Sequence, residues 1–297
     1  NEELVTQIFR DNVKSYKSLP LILYHIQWKF RDEIRPRFGI MRCREFLMKD
    51  SYSFDETKEG ARLSYNKMFY AYLKTFERLG LKAIPLAADT GPIGGDLSHE
   101  FIILADTGES QIYTSKKILD LKIENFTNDE GSLNNMVKAF TEIYSATDEK
   151  FDQSEFDKSV KKEDQLITRG IEVGHIFYFG DKYSKSMRAL VNSSSGQNIT
   201  VEMGSYGIGV SRLVGAIIEA NYNNNVMKWP TTVTPFHVAI IDLGKKSENE
   251  TKIKSQNVYE KLKENHFDVL LDDTDESPAS KFKNFDLIGI PYQIIIG

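Results

Sequence analysis

Residues 30–52 read FRDEIRPRFGIMRCREFLMKDSY. Ahead of this stretch, residues 21–30 alternate. Ile22, Tyr24, Ile26, Trp28 and Phe30 fall on one parity, and His25, Gln27, Arg31 and Glu33 on the other, the period of a strand with one polar face. Arg35, Pro36, Arg37, Phe38 and Gly39 supply turn chemistry, and a second run from Arg42 sets Arg44, Phe46, Met48, Asp50 and Tyr52 on one parity. The spacing predicts an antiparallel hairpin. With the polar parities on a shared face, Arg31, Glu33, Phe46 and Asp50 converge on one side of a sheet, and a ring, a guanidinium and carboxylates gathered there suit a nucleotide. Charged strands are more commonly plain solvated faces, so it is the spacing that carries this reading.

Phe30-Arg31-Asp32-Glu33, a loop, then Arg42 with Phe46 four residues on, resembles motif 2 of the class II aminoacyl-tRNA synthetases, F-R-x-E, loop, R-x-x-x-F. The longer wording RPRFGIMRCREFLMKDSYSF resembles the bacterial-type prolyl-tRNA synthetases in particular. A second motif agrees. Gly204-Ser-Tyr-Gly207-Ile-Gly209-Val-Ser-Arg212, running into an apolar helix, resembles class II motif 3, whose arginine reaches the nucleotide. Glycines let the backbone come close to a ligand, and Arg212 offers a flat cation that can stack and pair with phosphate. Read as a dinucleotide fingerprint, the same stretch fails: its third glycine position holds Arg212 and no βαβ unit follows.

The chain has 297 residues, 40% hydrophobic and 11% aromatic, long enough for one large domain and a smaller one. A net charge of -5 gives no global nucleic-acid signature, so contact with RNA rests on local basic patches. The single cysteine, Cys43, excludes an internal disulfide framework and a cysteine-built metal site, which suits a reducing compartment. No apolar run reaches membrane length and no signal peptide opens the sequence. Asn1 enters a helical pattern without a start and Gly297 stops just after YQIIIG, so an internal fragment is expected.

Residues 2–17 place Leu4, Val5, Ile8, Phe9, Val13 and Tyr16 at helical spacing, closed by Pro20. After the hairpin, Asp55 is expected to cap, and Gly80 to stop, a helix with Leu63, Met68, Phe69, Tyr72, Leu73 and Phe76 on its buried stripe. A strand near 83–88, the glycine-rich loop DTGPIGGDLSHE and a strand FIILA follow. The loop lacks the Lys-Ser/Thr ending of a phosphate cradle, and His99 and Glu100 are read as structural. Residues 111–168 shift to lysine, glutamate, aspartate and asparagine. In residues 169–183, Glu172 and His175 lack a third metal ligand, so no metal site is assignable. Trp229 and Pro230 mark a linker, beyond which strand, helix, strand, helix, strand alternate as in an incomplete parallel α/β sheet.

The fold class expected is α+β: a class II synthetase antiparallel sheet flanked by helices, followed by the start of an α/β anticodon-binding domain. The expected division is a catalytic core over 1–232, with 111–168 a shortened insertion in place of an editing domain, and an incomplete anticodon-binding domain over 233–297. The resemblance implies ATP-dependent activation of proline to prolyl-adenylate and transfer to tRNA(Pro). It implies Arg31 and Arg212 as catalytic residues, an ATP site of Arg31, Glu33, Arg42, Phe46, Glu172, His175 and Arg212, and a proline site of Glu2, Arg31, Phe46, Met48, Asp50, Phe177 and Ser205. Glu2 falls on the glutamate of a Thr-x-Glu loop whose threonine would precede Asn1; an acidic residue in a first helical turn is the plainer reading. Magnesium on the phosphates is implied by the chemistry. A homodimer through the motif 1 region, which is missing here, a bacterial cytoplasm and no membrane complete the expectation. A proline-sized pocket cannot strongly refuse alanine, so with no editing domain some Ala-tRNA(Pro) is expected. A sister synthetase is one alternative, although the threonyl enzyme needs zinc ligands that Cys43 is not placed to supply. A non-catalytic synthetase-like tRNA binder is another, although both motif arginines are present.

Overall fold

The structure, a computed structural model, describes residues 1–89, 97–125, 129–244 and 249–297. Its elements run α1 (Glu2–Asn12), β1 (Leu21–Phe30), β2 (Glu45–Asp55), α2 (Lys58–Arg78), β3 (Ala83–Ala87), β4 (Leu97–Leu104), β5 (Ser110–Ser115), α3 (Glu130–Thr141), β6 (Ser145–Thr147), α4 (Gln153–Ser159) and β7 (Gln165–Gly180). Then follow α5 (Lys182–Ser186), β8 (Leu190–Asn192), β9 (Asn198–Thr200), β10 (Glu202–Gly209), α6 (Val210–Asn221), β11 (Tyr222–Asn223), β12 (Val226–Met227), β13 (Val238–Asp242), α7 (Asn249–Glu264), β14 (Val269–Asp272), α8 (Pro278–Ile288) and β15 (Tyr292–Ile296). Two compact units form. One comprises residues 1–77 and 82–216, the other 78–81 and 217–297.

The larger unit is built on an eight-stranded sheet in the order β1-β2-β10-β7-β4-β3-β6-β5, antiparallel except where β3 meets β6. The hairpin expected from the sequence is β1 and β2, in register from Leu21 opposite Phe54 to Phe30 opposite Glu45. Its arms are separated by a longer connection than turn chemistry alone implies, with Phe38 in the left-handed region and a 3-10 turn at Gly39–Met41. Arg31 and Glu33 lie in this connection, just past the end of β1. The strand's apolar parity is the exposed one: Tyr24, Ile26, Trp28 and Phe30 are each more than half exposed.

The two faces of the sheet divide the labour. On one, α2 packs Phe69, Tyr72 and Phe76 against Phe101 with ring centroids 5.4 to 5.9 Å apart. On the other, α1 lays Val5 and Phe9 over Tyr52, Phe54, Phe177 and Met203, with Phe9 stacked on Phe54 at 4.1 Å. Each ring buried this way contributes roughly 1.5 to 3 kcal/mol. This packing fixes α1 and carries Glu2, in its first turn, to the edge of the free sheet surface.

Two local expectations differ from what forms. The first helix ends at Asn12 rather than 17, with a short 3-10 turn at Tyr16–Ser18. Asp55 does not cap α2. It closes β2, is buried, and accepts the Ser64 hydroxyl at 2.8 Å, while Thr57 Oγ1 accepts the Gly60 amide at 3.1 Å near the helix start. Gly80 does follow the helix in the left-handed region, with φ +74. Residues 111–168, read as a shortened insertion within the core, join its sheet where described: β5 pairs with the N-terminal part of the long strand β7 and with β6, widening the same sheet. The glycine-rich loop, weighed as a phosphate cradle, lies outside the described residues from 90 to 96.

The smaller unit has a parallel sheet in the order β14-β13-β15. Ala239, Ile241, Phe285 and Ile290 form one buried cluster, and Val238, Ile240 and Val269 another. Lys281 is buried here and donates to the Asp242 carbonyl at 2.6 Å.

Candidate active site

The face of the sheet that α1 leaves open carries a cleft of about 370 Å³. Strand register decides which side chains enter it. Asp50 stands opposite Gly207, Gly207 opposite His175, and His175 opposite Glu100, so four neighbouring strands present these residues side by side. Met48 and Phe46 follow Asp50 at two-residue steps along β2, and Ser205 and Gly209 flank Gly207 along β10. All twelve residues expected at the site, from Glu2 to Arg212, line this one cleft.

At one end the cations gather. The Arg31 guanidinium lies 5.1 Å over the Phe46 ring, and its NH2 reaches Met48 Sδ at 3.8 Å. Arg212 is held by both neighbours: Nε donates to the Met41 carbonyl at 2.8 Å, and NH1 donates to the Glu172 carbonyl at 2.9 Å and its Oε2 at 3.4 Å. These bonds tie α6 to the hairpin connection and to β7. Leu47 N donates to Ser211 Oγ at 3.1 Å, pinning β2 to the same turn of α6. Arg42 NH2 donates to Glu109 Oε1 at 3.1 Å, and Arg37 NH2 to Glu109 Oε2 at 3.4 Å. Arg42 Nε is buried with no acceptor among the described residues. Glu33 Oε1 accepts the Arg35 amide at 3.1 Å, which folds the connection back on itself.

At the floor of the cleft His175 stacks on Phe177 at 3.9 Å and shares a 2.6 Å hydrogen bond between Nε2 and Ser98 Oγ. Its Nδ1 lies 3.5 Å from Glu172 and 3.9 Å from Glu100. Burial acts to raise the Glu172 carboxyl, but hydrogen bonding from His175 and the Arg212 charge outweigh it and hold the group at about 2. Glu100 goes the other way. Burial, with the Glu172 charge beside it, pushes it up to about 8.

At the other end Glu2 Oε1 accepts from Ser205 Oγ at 3.4 Å. Gly207 keeps this end open, because a Cβ there would sit 3.1 Å from Met48 Cε and 3.4 Å from Asp50 Oδ1. Tyr52 lies under both carboxylates. Burial, then the charges of Asp50 and Glu2, push its phenol well above the usual range, so it stays a neutral donor.

The structure also brings in residues not anticipated. Glu100, read as structural, completes a cluster with Glu172 and His175 whose ligand atoms lie within 4.8 Å of one another, the third potential metal ligand that residues 169–183 lacked. The signal was present as alternation: Ser98 and Glu100 share the parity that meets His175, while His99 faces α2, where Tyr65 OH and its Nδ1 lie 2.6 Å apart. Burial, then His175, lower His99 to about 4. Glu109 was missed because its partners are 67 and 72 residues away in the chain.

Residues 1–221 match the model of the tRNA synthetase class II core domain (G, H, P, S and T), and residues 237–297 that of the anticodon binding domain. The proline–tRNA ligase of Pelagibacter ubique is 59% identical over 299 residues, which cover all of this chain and 67% of that protein. The proline–tRNA ligase of Parvibaculum lavamentivorans is 58% identical over 298 residues, covering all of this chain and 68% of its own length. The chain thus spans about two thirds of these relatives. Among solved structures, Giardia lamblia prolyl-tRNA synthetase in complex with prolyl-adenylate aligns with a TM-score of 0.72 at 19% identity, over all of this chain and 50% of that one. Cryptosporidium parvum prolyl-tRNA synthetase complexed with L-proline and AMP gives 0.70 at 17%, over 99% and 50%. At such identity these two speak to the fold.

Proposed function

The chain belongs to the proline–tRNA ligase family of class II synthetases, and on that premise we propose that its cleft activates proline with ATP and passes the prolyl group to tRNA(Pro). In the first step a carboxylate oxygen of proline attacks the α-phosphorus of ATP. A carboxyl–phosphate bond forms, the bond to the β-phosphate breaks, and pyrophosphate leaves. No general base is needed, since the attacking carboxylate is already ionised near neutral pH. The protein's task is in-line placement and cover for negative charge. In the second step a hydroxyl of the terminal tRNA ribose attacks the activated carbonyl and AMP leaves.

The observation that carries this reading is one cleft in which Arg31, Arg42 and Arg212 gather around Phe46, while the carboxylates of Asp50 and Glu2 stand beside Gly207 and Ser205. Arg31 grips the proline carboxylate and the α-phosphate. Arg212 takes the far end of the triphosphate, with Arg42 lining the same cleft. Phe46 stacks on adenine and Glu33 accepts from its amino group. Glu2 faces the ring nitrogen of proline, and Met48, Phe177 and Ser205 shape the walls around the ring. Magnesium on triphosphates keeps much of its water and takes one or two carboxylates. Glu100 and Glu172 fit that donor set and would hold it, supplying further charge neutralisation at the phosphates.

Three finer points belong to the same reading. The division between core and anticodon-binding parts falls near residue 232. The apolar parity of β1, exposed at the edge of the sheet, serves a homodimer. The setting is the bacterial cytoplasm, supported by the bacterial relatives; among the described residues no helix is long and apolar enough to cross a membrane. The test is amino-acid-dependent ATP/pyrophosphate exchange by the intact protein with proline, alanine, threonine and histidine. Exchange is expected with proline, more weakly with alanine, and is expected to vanish in Arg31→Ala. Exchange driven best by another amino acid, or unaffected by that substitution, refutes the proposal.

A further inference from the structure

Lys29 and His25 lie on β1 beside the carboxylate end of the cleft, outside the set of residues that line it. Register puts His25 directly opposite Asp50, and Lys29 two strand periods further along the same face. Lys29 Nζ reaches back to Asp50 Oδ2 at 2.5 Å and to His25 Nε2 at 2.9 Å. The Lys29 side chain is only 12% exposed and Asp50 only 13%, so this is a sheltered charge pair rather than a solvated one. An ammonium has donors only, so His25 Nε2 is the acceptor and its ring proton sits on Nδ1. Asn1 Nδ2, 3.4 Å from the same nitrogen, is a donor of the same kind. The contact of 3.3 Å between His25 Nε2 and Asp50 Oδ2 is then one of two acceptors bridged by Lys29.

Asp50 is therefore a split carboxylate. One oxygen, Oδ2, is held by Lys29. The other, Oδ1, points to the space above Gly207, where a Cβ would lie 3.4 Å away. That space is the end of the cleft at which Glu2 stands. A secondary ammonium such as that of proline carries two N–H donors, and two carboxylates at this end match them.

We propose that Lys29 is a positioning residue for amino-acid recognition, locking Asp50 so that Oδ1 and Glu2 together receive the two N–H groups of the substrate's ring ammonium. The inference rests on the reading that this cleft binds proline. Two carboxylates at one end of a sheltered cleft repel unless a cation stands by. Lys29 is that cation, placed behind Asp50 rather than in the cavity, where it would compete with the substrate. Without it Asp50 turns away from Glu2 and Oδ1 is lost to the substrate.

The test is Lys29→Met in the intact protein, read as separate KM values for proline and ATP in pyrophosphate exchange. The KM for proline is expected to rise roughly tenfold or more, the size of one hydrogen bond to a charged group, with the KM for ATP unchanged. Lys29→Arg, which keeps the charge and the donors, is expected to recover most of the loss. Inhibition by tetrahydrofuran-2-carboxylate, in which an ether oxygen replaces the ring ammonium, is expected to be the same in wild type and Lys29→Met. Equal weakening of proline and this analogue, parallel rises in both KM values, or no change for proline each overturns the proposal. Should Lys29→Met fail to fold, the isosteric Asp50→Asn breaks the pair from its other side and carries the same expectation. Absence of proline-dependent exchange in the wild type removes the functional reading and this inference with it, whereas exchange in the wild type with an unaltered variant removes the inference alone.

Discussion

Lys49 stands between two recognition residues, Met48 and Asp50, yet faces the other side of the sheet. Its ammonium lies among neutral partners, 2.6 Å from Ser51 Oγ and 3.1 Å from Tyr72 OH. Burial lowers it to about 8, against the opposing pull of Asp50. The unfolded chain binds this proton up to about pH 10.5, so folding favours the neutral amine and the cost of the charge is full below pH 8. Stability from this group therefore rises as pH increases from about 8 to about 10.5. Relative to Lys49→Met, the wild type is expected to gain about 2 kcal/mol between pH 7.5 and 9.5 in denaturant unfolding. A difference that stays constant across that window would show that the amine is not held neutral. At this scale the site was legible through spacing: Arg31, Arg42, Phe46 and Arg212 stand out by type and by their places in the two motifs, and the fold brings them to one cleft. Glu109 and Lys29 were not legible. Each acts through a partner that only strand pairing or a long loop brings near.

Gly207 shows what an element contributes beyond its side chains. On β10 it stands opposite both Asp50 and His175, and its missing Cβ is the opening through which the carboxylate end of the cleft is reached. Gly207→Ala is expected to raise the KM for proline about tenfold and leave that for ATP near its wild-type value, as one methyl group planted in a pocket does. Equal effects on both substrates in steady-state exchange would place the damage in the strand rather than the pocket. Periodicity read α2 well because one face of it is buried, and it read the hairpin by alternation even though β1 buries neither face. It failed at residues 111–168, where polar composition masked strands that belong to the main sheet. β7 spans Gln165–Gly180 and pairs with three neighbours, β4, β5 and β10, and only this length reveals why the segment joins it. The Asp55 cap failed for a similar reason: a carboxylate at a strand end found a buried hydroxyl nine residues on.

At the scale of the whole molecule, the apolar parity of β1 stands exposed among the described residues. An edge strand carrying Tyr24, Ile26, Trp28 and Phe30 outward is an association surface unless covered. Trp28→Lys combined with Ile26→Lys is expected to convert a homodimer of the intact protein to monomers in sedimentation velocity, with the far-ultraviolet spectrum preserved. A wild type that is already monomeric at micromolar concentration, or a variant that remains dimeric, rules out this edge as the contact. The order of the sheet has a last consequence. Phe46, Met48 and Asp50 are graduations on a ruler, each step about 6.7 Å because two residues of extended backbone measure that much. Substitutions can alter what stands at each mark, but the distance from base to ammonium is written in bond lengths. An insertion or deletion of one residue in β2 would turn every mark beyond it to the wrong side, whereas a change of length in the connection before the strand leaves the marks in place, because there the ruler has not yet begun.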